Sequence, residues 1–149
     1  MNALKQIEQL QPQEIEKRSF EIIGEELAAR GITLPKDQEM ITKRVIHTSA
    51  DFEYTKTLMY SKDAVRIAQD LICEGADIVT DTNMALAGIN KKALATFGGE
   101  AHCFMADPEV ARIAKERGTT RATVSMEMAA RIDKPVIFAV GNAPTALIQ

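Results

Sequence analysis

Two short β-branched runs, each ending on a helix-start signal, constrain this chain more than any other feature. Asp77-Ile78-Val79-Thr80-Asp81 passes directly into Thr82-Asn83, and Val136-Ile137-Phe138-Ala139-Val140 passes into Gly141-Asn142-Ala143-Pro144. A strand that leads into a helix, and not into a tight turn, finds its next partner in parallel. Between the two runs, Gly98-Gly99 turns the chain into a strand read over Glu100 to Met105. Asp107-Pro108 then starts a helix with Val110, Ile113 and Ala114 inward and Gly118 as its stop. Thr119-Thr120 caps another helix, carrying Val124, Met128 and Ile132. Strands alternating with helices of about 10–15 residues predict right-handed crossovers. The fold class expected is therefore α/β: a doubly wound, mainly parallel sheet with helices on both faces.

The first third of the chain reads as helical. From Pro12, residues Ile15, Ser19, Ile22, Ile23, Glu26 and Leu27 fall near one face, and Gly31 supplies a stop. Pro35 and Asp37 open a second pattern with Met40, Ile41, Val45 and Thr48 on its face and His47 in the last turn. Asp51 to Tyr60 reads ambiguously, as a helical turn followed by a short strand. Ser61 then caps a helix carrying Val65, Ala68, Leu71 and Ile72, stopped at Gly75. No repeat, low-complexity tract or linker interrupts the 149 residues, so a single domain over 1–149 is expected.

Charge and composition remove several functional classes. Eighteen basic against 21 acidic residues give a formal charge of −3, which argues against a broad nucleic-acid face. No stretch of about 18 apolar residues exists to span a membrane, and Met1 to Gln9 has no apolar core of a secretion signal. Cys73 and Cys103 fit neither a disulfide framework nor a zinc spacing. They read as structural thiols of a cytoplasmic protein. Neither G-x-G-x-x-G nor G-x-x-x-x-G-K-[ST] occurs, so a nucleotide reading is weak.

Ligands of open parallel sheets bind beyond the carboxyl ends of the strands. Those ends read Asp81-Thr82-Asn83, Ala106-Asp107-Pro108 and Gly141 to Thr145, and Thr119-Thr120-Arg121 adds a helix start with a guanidinium. Free N–H groups there favour carboxylates or phosphates. The ordinary role of Asn83, Asp107, Thr120 and Asn142 taken singly is to cap a helix. Of the two histidines, His102 sits mid-strand and reads as a packed or edge residue. His47 differs, because Arg44 lies three positions earlier on the same side of its helix. That pairing puts an acid–base group beside an anion anchor, although a surface or C-cap histidine also fits the spacing.

At Arg44-Val45-Ile46-His47-Thr48-Ser49-Ala50-Asp51-Phe52 the sequence resembles the precorrin-8X methylmutase (precorrin isomerase, cobalt-precorrin-8 methylmutase) family. Further blocks carry the resemblance: Glu14 to Phe20, Asp81-Thr82-Asn83-Met84 with Ala87-Gly88-Ile89, Asp107 to Ala111, Gly118 to Arg121, and Gly141 to Leu147. One departure is mild: Thr48-Ser49-Ala50-Asp51 stands where Ala-Thr-Ala-Asp is expected. The resemblance implies an isomerase of cobalamin biosynthesis. It would move a methyl group from carbon eleven to carbon twelve of the corrinoid ring, giving hydrogenobyrinate or cobyrinate, with no cofactor and no metal site of its own. It implies His47 as proton donor and acceptor, and Ser19 and Arg44 as substrate contacts. Asn83, Arg121, Asn142 and Thr145 are nominated as further substrate-binding residues from the strand-end argument. The implied partners are a tetrapyrrole polycarboxylate substrate and a second copy of the chain in a homodimer, with no nucleic acid and no membrane.

Two other classes stay open at this point: a corrinoid carrier without catalysis, and a nucleotide-binding regulator. The sequence also ends on a helix start, Gly141-Asn142-Ala143-Pro144 followed by Thr145 to Gln149. Because the resemblance implies a continuation, the domain is expected to be incomplete at its C-terminus.

Overall fold

The computed structural model describes residues 12–148, without the side chains of residues 12, 13, 145 and 146. Met1 to Gln9 lies outside the described residues. The chain forms two compact units, residues 1–65 and 66–149.

In the first unit, α1 spans Pro12–Ala29, α2 Glu39–Ser49 and α3 Tyr54–Thr57. Of the predicted α1 face, Ile23 and Leu27 are buried while Ile15 and Ile22 stay about half exposed; α2 turns a different face inward than its period predicts, burying Thr42 and Ile46 and leaving Met40, Ile41 and Thr48 exposed. Ile23, Leu27 and Ile46 form the core, with Ile32, Leu34 and Phe52 packed on them. Each fully buried aliphatic side chain contributes about 1.5–3 kcal/mol. Gly31 ends α1 at a φ of 68°, with its N–H on Ala28 O (3.0 Å) and that of Ile32 on Leu27 O (2.9 Å). These are the two bonds of a Schellman stop, and they need a residue that tolerates positive φ. The strand read near Tyr60 does not form; α3 gives way to extended, unpaired chain.

The second unit carries a three-stranded parallel sheet in the order β2-β1-β3, where β1 is Asp77–Thr80, β2 Ala101–His102 and β3 Val136–Ala139. Ile78 pairs with Ala101 on one side and Ile137 on the other. Around the sheet run α4 (Ala64–Cys73, whose first two residues precede the unit boundary), α5 (Asn83–Gly88), α6 (Lys91–Ala95), α7 (Pro108–Arg117) and α8 (Arg121–Ala129). The α/β class and the parallel sheet agree with the sequence reading. β2 is shorter than read: only Ala101 and His102 pair, and a turn closed by Asp107 N–H on Phe104 O (3.0 Å) ends it before Met105.

Val79 of β1 packs on Met126 and Ala129 of α8, and Val110 and Ala114 of α7 pack on Val124 of the same helix. At the entry to β1, buried Asp77 accepts from Glu100 N (2.8 Å), contacts His102 Nε2 (3.0 Å) and lies 3.5 Å from Lys134 Nζ. Burial pushes the Asp77 carboxyl upward, but the Glu100 N–H, His102 and Lys134 together outweigh it and hold the carboxyl below its usual range. His102 is therefore a packed histidine, stacked on Phe104.

Candidate active site

Three of the nominated residues meet in the first unit. Ser19 sits on α1, and Arg44 and His47 on α2. Ser19 and His47 line one cavity of about 350 Å³, closed by Ile22, Ile23, Ile46, Ala50 and Phe52 and edged by Glu26. His47 is exposed on the cavity side and meets the edge of Phe20, with ring centroids 5.8 Å apart at 72°. The Arg44 guanidinium lies over the same ring, 5.2 Å from its centroid, and Arg44 Nη2 donates to Glu16 Oε1. Phe20 thus lies between the imidazole and the guanidinium, a placement that nothing in its sequence position announces. At the rim, Arg30 bonds Glu26 (2.8 Å) and covers Phe52 at 4.2 Å.

The segment after His47 fixes the end of its helix. Two hydroxyls of the last turn donate back to carbonyls four residues earlier, beside the helical N–H bonds: Thr48 Oγ1 to Arg44 O (3.0 Å) and Ser49 Oγ to Val45 O (2.7 Å). Asp51 N–H donates back to Ser49 Oγ (3.2 Å), and Asp51 Oδ1 accepts from Glu53 N (2.9 Å). Ala50 takes the left-handed C-cap at φ 55°, ψ 22°, with its N–H on Ile46 O (2.7 Å). A methyl-bearing residue is strained there, and glycine relieves the clash. Ala50→Gly is expected to raise stability by about 0.5–1 kcal/mol in urea unfolding. A destabilised glycine variant would instead make the Ala50 methyl a packing contact of the cavity wall.

Four other nominated residues belong to the second unit. Asn83 is the first residue of α5, and the cap is its neighbour: Thr82 Oγ1 accepts from Ala85 N (3.1 Å). Asn83 is therefore exposed and not a cap. Arg121 opens α8 behind its cap Thr120, whose Oγ1 accepts from Thr123 N (3.1 Å), and is exposed. Asp107 caps α7 through Glu109 N (2.8 Å) with Pro108 behind it, as its sequence position implies. Asn142 does not cap a helix with its side chain; its N–H donates to Asp81 Oδ2 (2.6 Å). Thr145 falls in the 3₁₀ turn Pro144–Leu147, and its side chain lies outside the described residues.

Asp81 is the residue that sequence reasoning passed over. Its Oδ2 also accepts from Gly141 N (3.2 Å) and Ala143 N (2.7 Å), so one carboxylate gathers three successive N–H groups at the end of the neighbouring strand. The side chain is 2% exposed. Burial raises its carboxyl, yet the N–H groups of Ala143, Asn142 and Gly141 more than compensate and hold it below the ordinary range. Asn83 and Asn142 follow the carboxyl ends of adjacent strands, the edge where parallel sheets take ligands. Among the described residues, no three His, Cys, Asp or Glu side chains converge as a metal-ligand set, and no helix is long and apolar enough to cross a membrane.

A parallel three-stranded sheet in one unit, and a helical unit in which a serine and a histidine line an apolar cavity with an arginine one helical turn before the histidine, make this an α/β protein. Comparison with known proteins gives the family. The precorrin-8X methylmutase model matches residues 14–149, and the chain belongs to that family, which is one of isomerases. It is 44% identical to a cobalt-precorrin-8 methylmutase of Salmonella typhimurium over 93% of this chain and 68% of the relative. To one of Priestia megaterium it is 41% identical, over 94% of this chain and 61% of the relative. The crystal structure of precorrin-8x methyl mutase from Thermus thermophilus superposes with a TM-score of 0.78 at 34% identity, over 91% of this chain and 65% of that one. The chain thus spans about two thirds of the length of these relatives.

Proposed function

We propose that this chain acts in cobalamin biosynthesis as the methylmutase of precorrin-8X or cobalt-precorrin-8, moving a methyl group from carbon eleven to carbon twelve of the macrocycle. The observation that carries the reading is the cluster of Ser19, Arg44 and His47 about Phe20. In the shift one carbon–methyl bond breaks and another forms. A proton lent by His47 to the ring system polarises it and returns to His47 afterwards, so atoms and charge balance. Ser19 and Arg44 hold the substrate, Arg44 through a carboxylate. Asn83, Arg121, Asn142 and Thr145 are proposed as further substrate contacts, and a homodimer in the cytoplasm as the working form. The 41–44% identity to two relatives named for cobalt-precorrin-8, against 34% to the precorrin-8x methyl mutase of Thermus thermophilus and 30% to the precorrin-8X methylmutase of Sinorhizobium sp, supports the cobalt-bearing substrate.

The test is conversion of each substrate, followed by absorbance, at stoichiometric and at catalytic protein. Multiple turnover, faster with cobalt-precorrin-8, is the expected result. Binding without even a single turnover would assign a carrier in place of an enzyme.

A further inference from the structure

A second hollow of about 440 Å³ lies between α1 and the start of α2, with Phe20 in its lining. Its apolar wall is Phe20 and Met40, and three ammonium groups edge it: Lys17, Lys36 and Lys43. We infer that this hollow is a carboxylate-anchoring subsite, in which Lys17 and Lys36 hold peripheral acid groups of the same macrocycle that His47 acts on. The inference deepens the proposed methylmutase reading and rests on it.

The balance of charges selects these two lysines. Arg44, proposed to meet one substrate carboxylate, shares its charge with Glu16 and leaves the other acid groups of the macrocycle unmatched. Lys43 is matched by Glu39 at 2.6 Å, and Glu21 by Arg18 at 3.2 Å. Among the described residues Lys17 and Lys36 have no ion-pair partner, so the hollow keeps two uncommitted cations beside an apolar wall. That combination suits a ligand with apolar ring edges and flexible carboxylate arms better than a small inorganic anion. The hollow is also shaped by sequence. Gly24 stands in mid-helix opposite Lys43, where an added Cβ would come within 3.3 Å of Lys43 Nζ. A helix-interior glycine is unfavourable by about 1 kcal/mol against alanine, and here it leaves room for the lysine stem to lie across α1, with only 19% of the Lys43 side chain exposed. Phe20 lines this hollow and also meets the His47 ring edge-on at 5.8 Å and the Arg44 guanidinium at 5.2 Å, so a ligand lying over His47 and Arg44 reaches the lysines across a single ring.

The experiment measures binding of cobyrinate, the product expected from the cobalt-bearing substrate, to the whole chain by titration calorimetry. Wild type, Lys17→Gln/Lys36→Gln and, as a control remote from the hollow, Lys115→Gln are compared, with the fully amidated corrinoid as second ligand. The double variant should bind the acid about tenfold more weakly, Lys115→Gln should match wild type, and amidation should erase the difference. Lysine acylation read by mass spectrometry should show Lys17 and Lys36 protected by the acid and Lys115 not. Equal affinity of wild type and the double variant, or unprotected Lys17 and Lys36, overturns the subsite and leaves the methylmutase reading standing. A wild-type chain that does not bind the acid overturns both.

Discussion

His47→Asn is expected to abolish turnover while leaving the corrinoid bound. Positioned general acid–base groups supply about 10²–10⁴ in rate, equivalent to roughly 3–5 kcal/mol of barrier. Asparagine keeps a polar group of similar reach at the cavity wall but has no proton to lend near neutrality. The substitution is structurally mild, because His47 is exposed and the core contact of that helical turn is Ile46, 1% exposed. The hydroxyl bonds of Thr48 and Ser49 that close the helix involve the backbone oxygens of Arg44 and Val45 and not the imidazole. The measurement is therefore paired: single-turnover conversion, and retention of the corrinoid on gel filtration. Arg44→Met provides the contrast, since loss of a carboxylate contact should raise KM more than it lowers kcat. A His47→Asn variant that turns over within a few-fold of wild type would remove the proton-transfer role from this histidine.

The parts of this fold legible in sequence were those governed by local chemistry. Gly31 and Gly118 stop helices because the left-handed conformation there is a property of the residue itself. Asp107-Pro108 and Thr120 start helices for equally local reasons. The Arg44–His47 pair was legible as well, since three residues along a helix place two side chains on one side. What escaped depended on contacts between distant segments. The sequence gives no sign that Phe20 stands between Arg44 and His47, because that meeting is made by packing α1 against α2. The pairing of His102 with Asp77 is likewise a product of strand register, 25 residues apart in the chain. β2 is shorter than the run Glu100 to Met105 suggests, because the apolar residues of that run do not reveal where the hydrogen-bonding partner ends. Asp81 was overlooked for the same reason: its three donors lie about 60 residues downstream.

That long-range role makes Asp81→Ala the substitution expected to destabilise the second unit most. Alanine leaves three N–H groups, those of Gly141, Asn142 and Ala143, without their acceptor where the carboxylate was 2% exposed. Each donor stranded away from water costs about 1–3 kcal/mol. Some of these N–H groups regain water as the strand end relaxes, so the expected loss is about 3–5 kcal/mol, the range found when one partner of a buried charged pair is removed. Against a typical total of about 5–15 kcal/mol, that is enough to unfold the unit at moderate urea. Asp81→Asn keeps an acceptor oxygen but not the charge and should lose less, about 1.5–3 kcal/mol, the worth of hydrogen bonds to a charged group. The pH dependence follows from the depressed carboxyl of Asp81. A carboxylate that titrates lower in the folded than in the unfolded chain binds fewer protons when folded. Its stabilisation is complete above the unfolded pKa, about 3.9 for aspartate, and is lost as pH falls through the folded value. Asp77, lowered in the same direction, adds to the acid sensitivity. Urea unfolding followed from pH 7 down to pH 2 should therefore show wild type losing stability below about pH 4, and its advantage over Asp81→Ala narrowing across the same range. A gap between the two that stays constant with pH would mean that the side chain, and not its charge, holds the strand end in place.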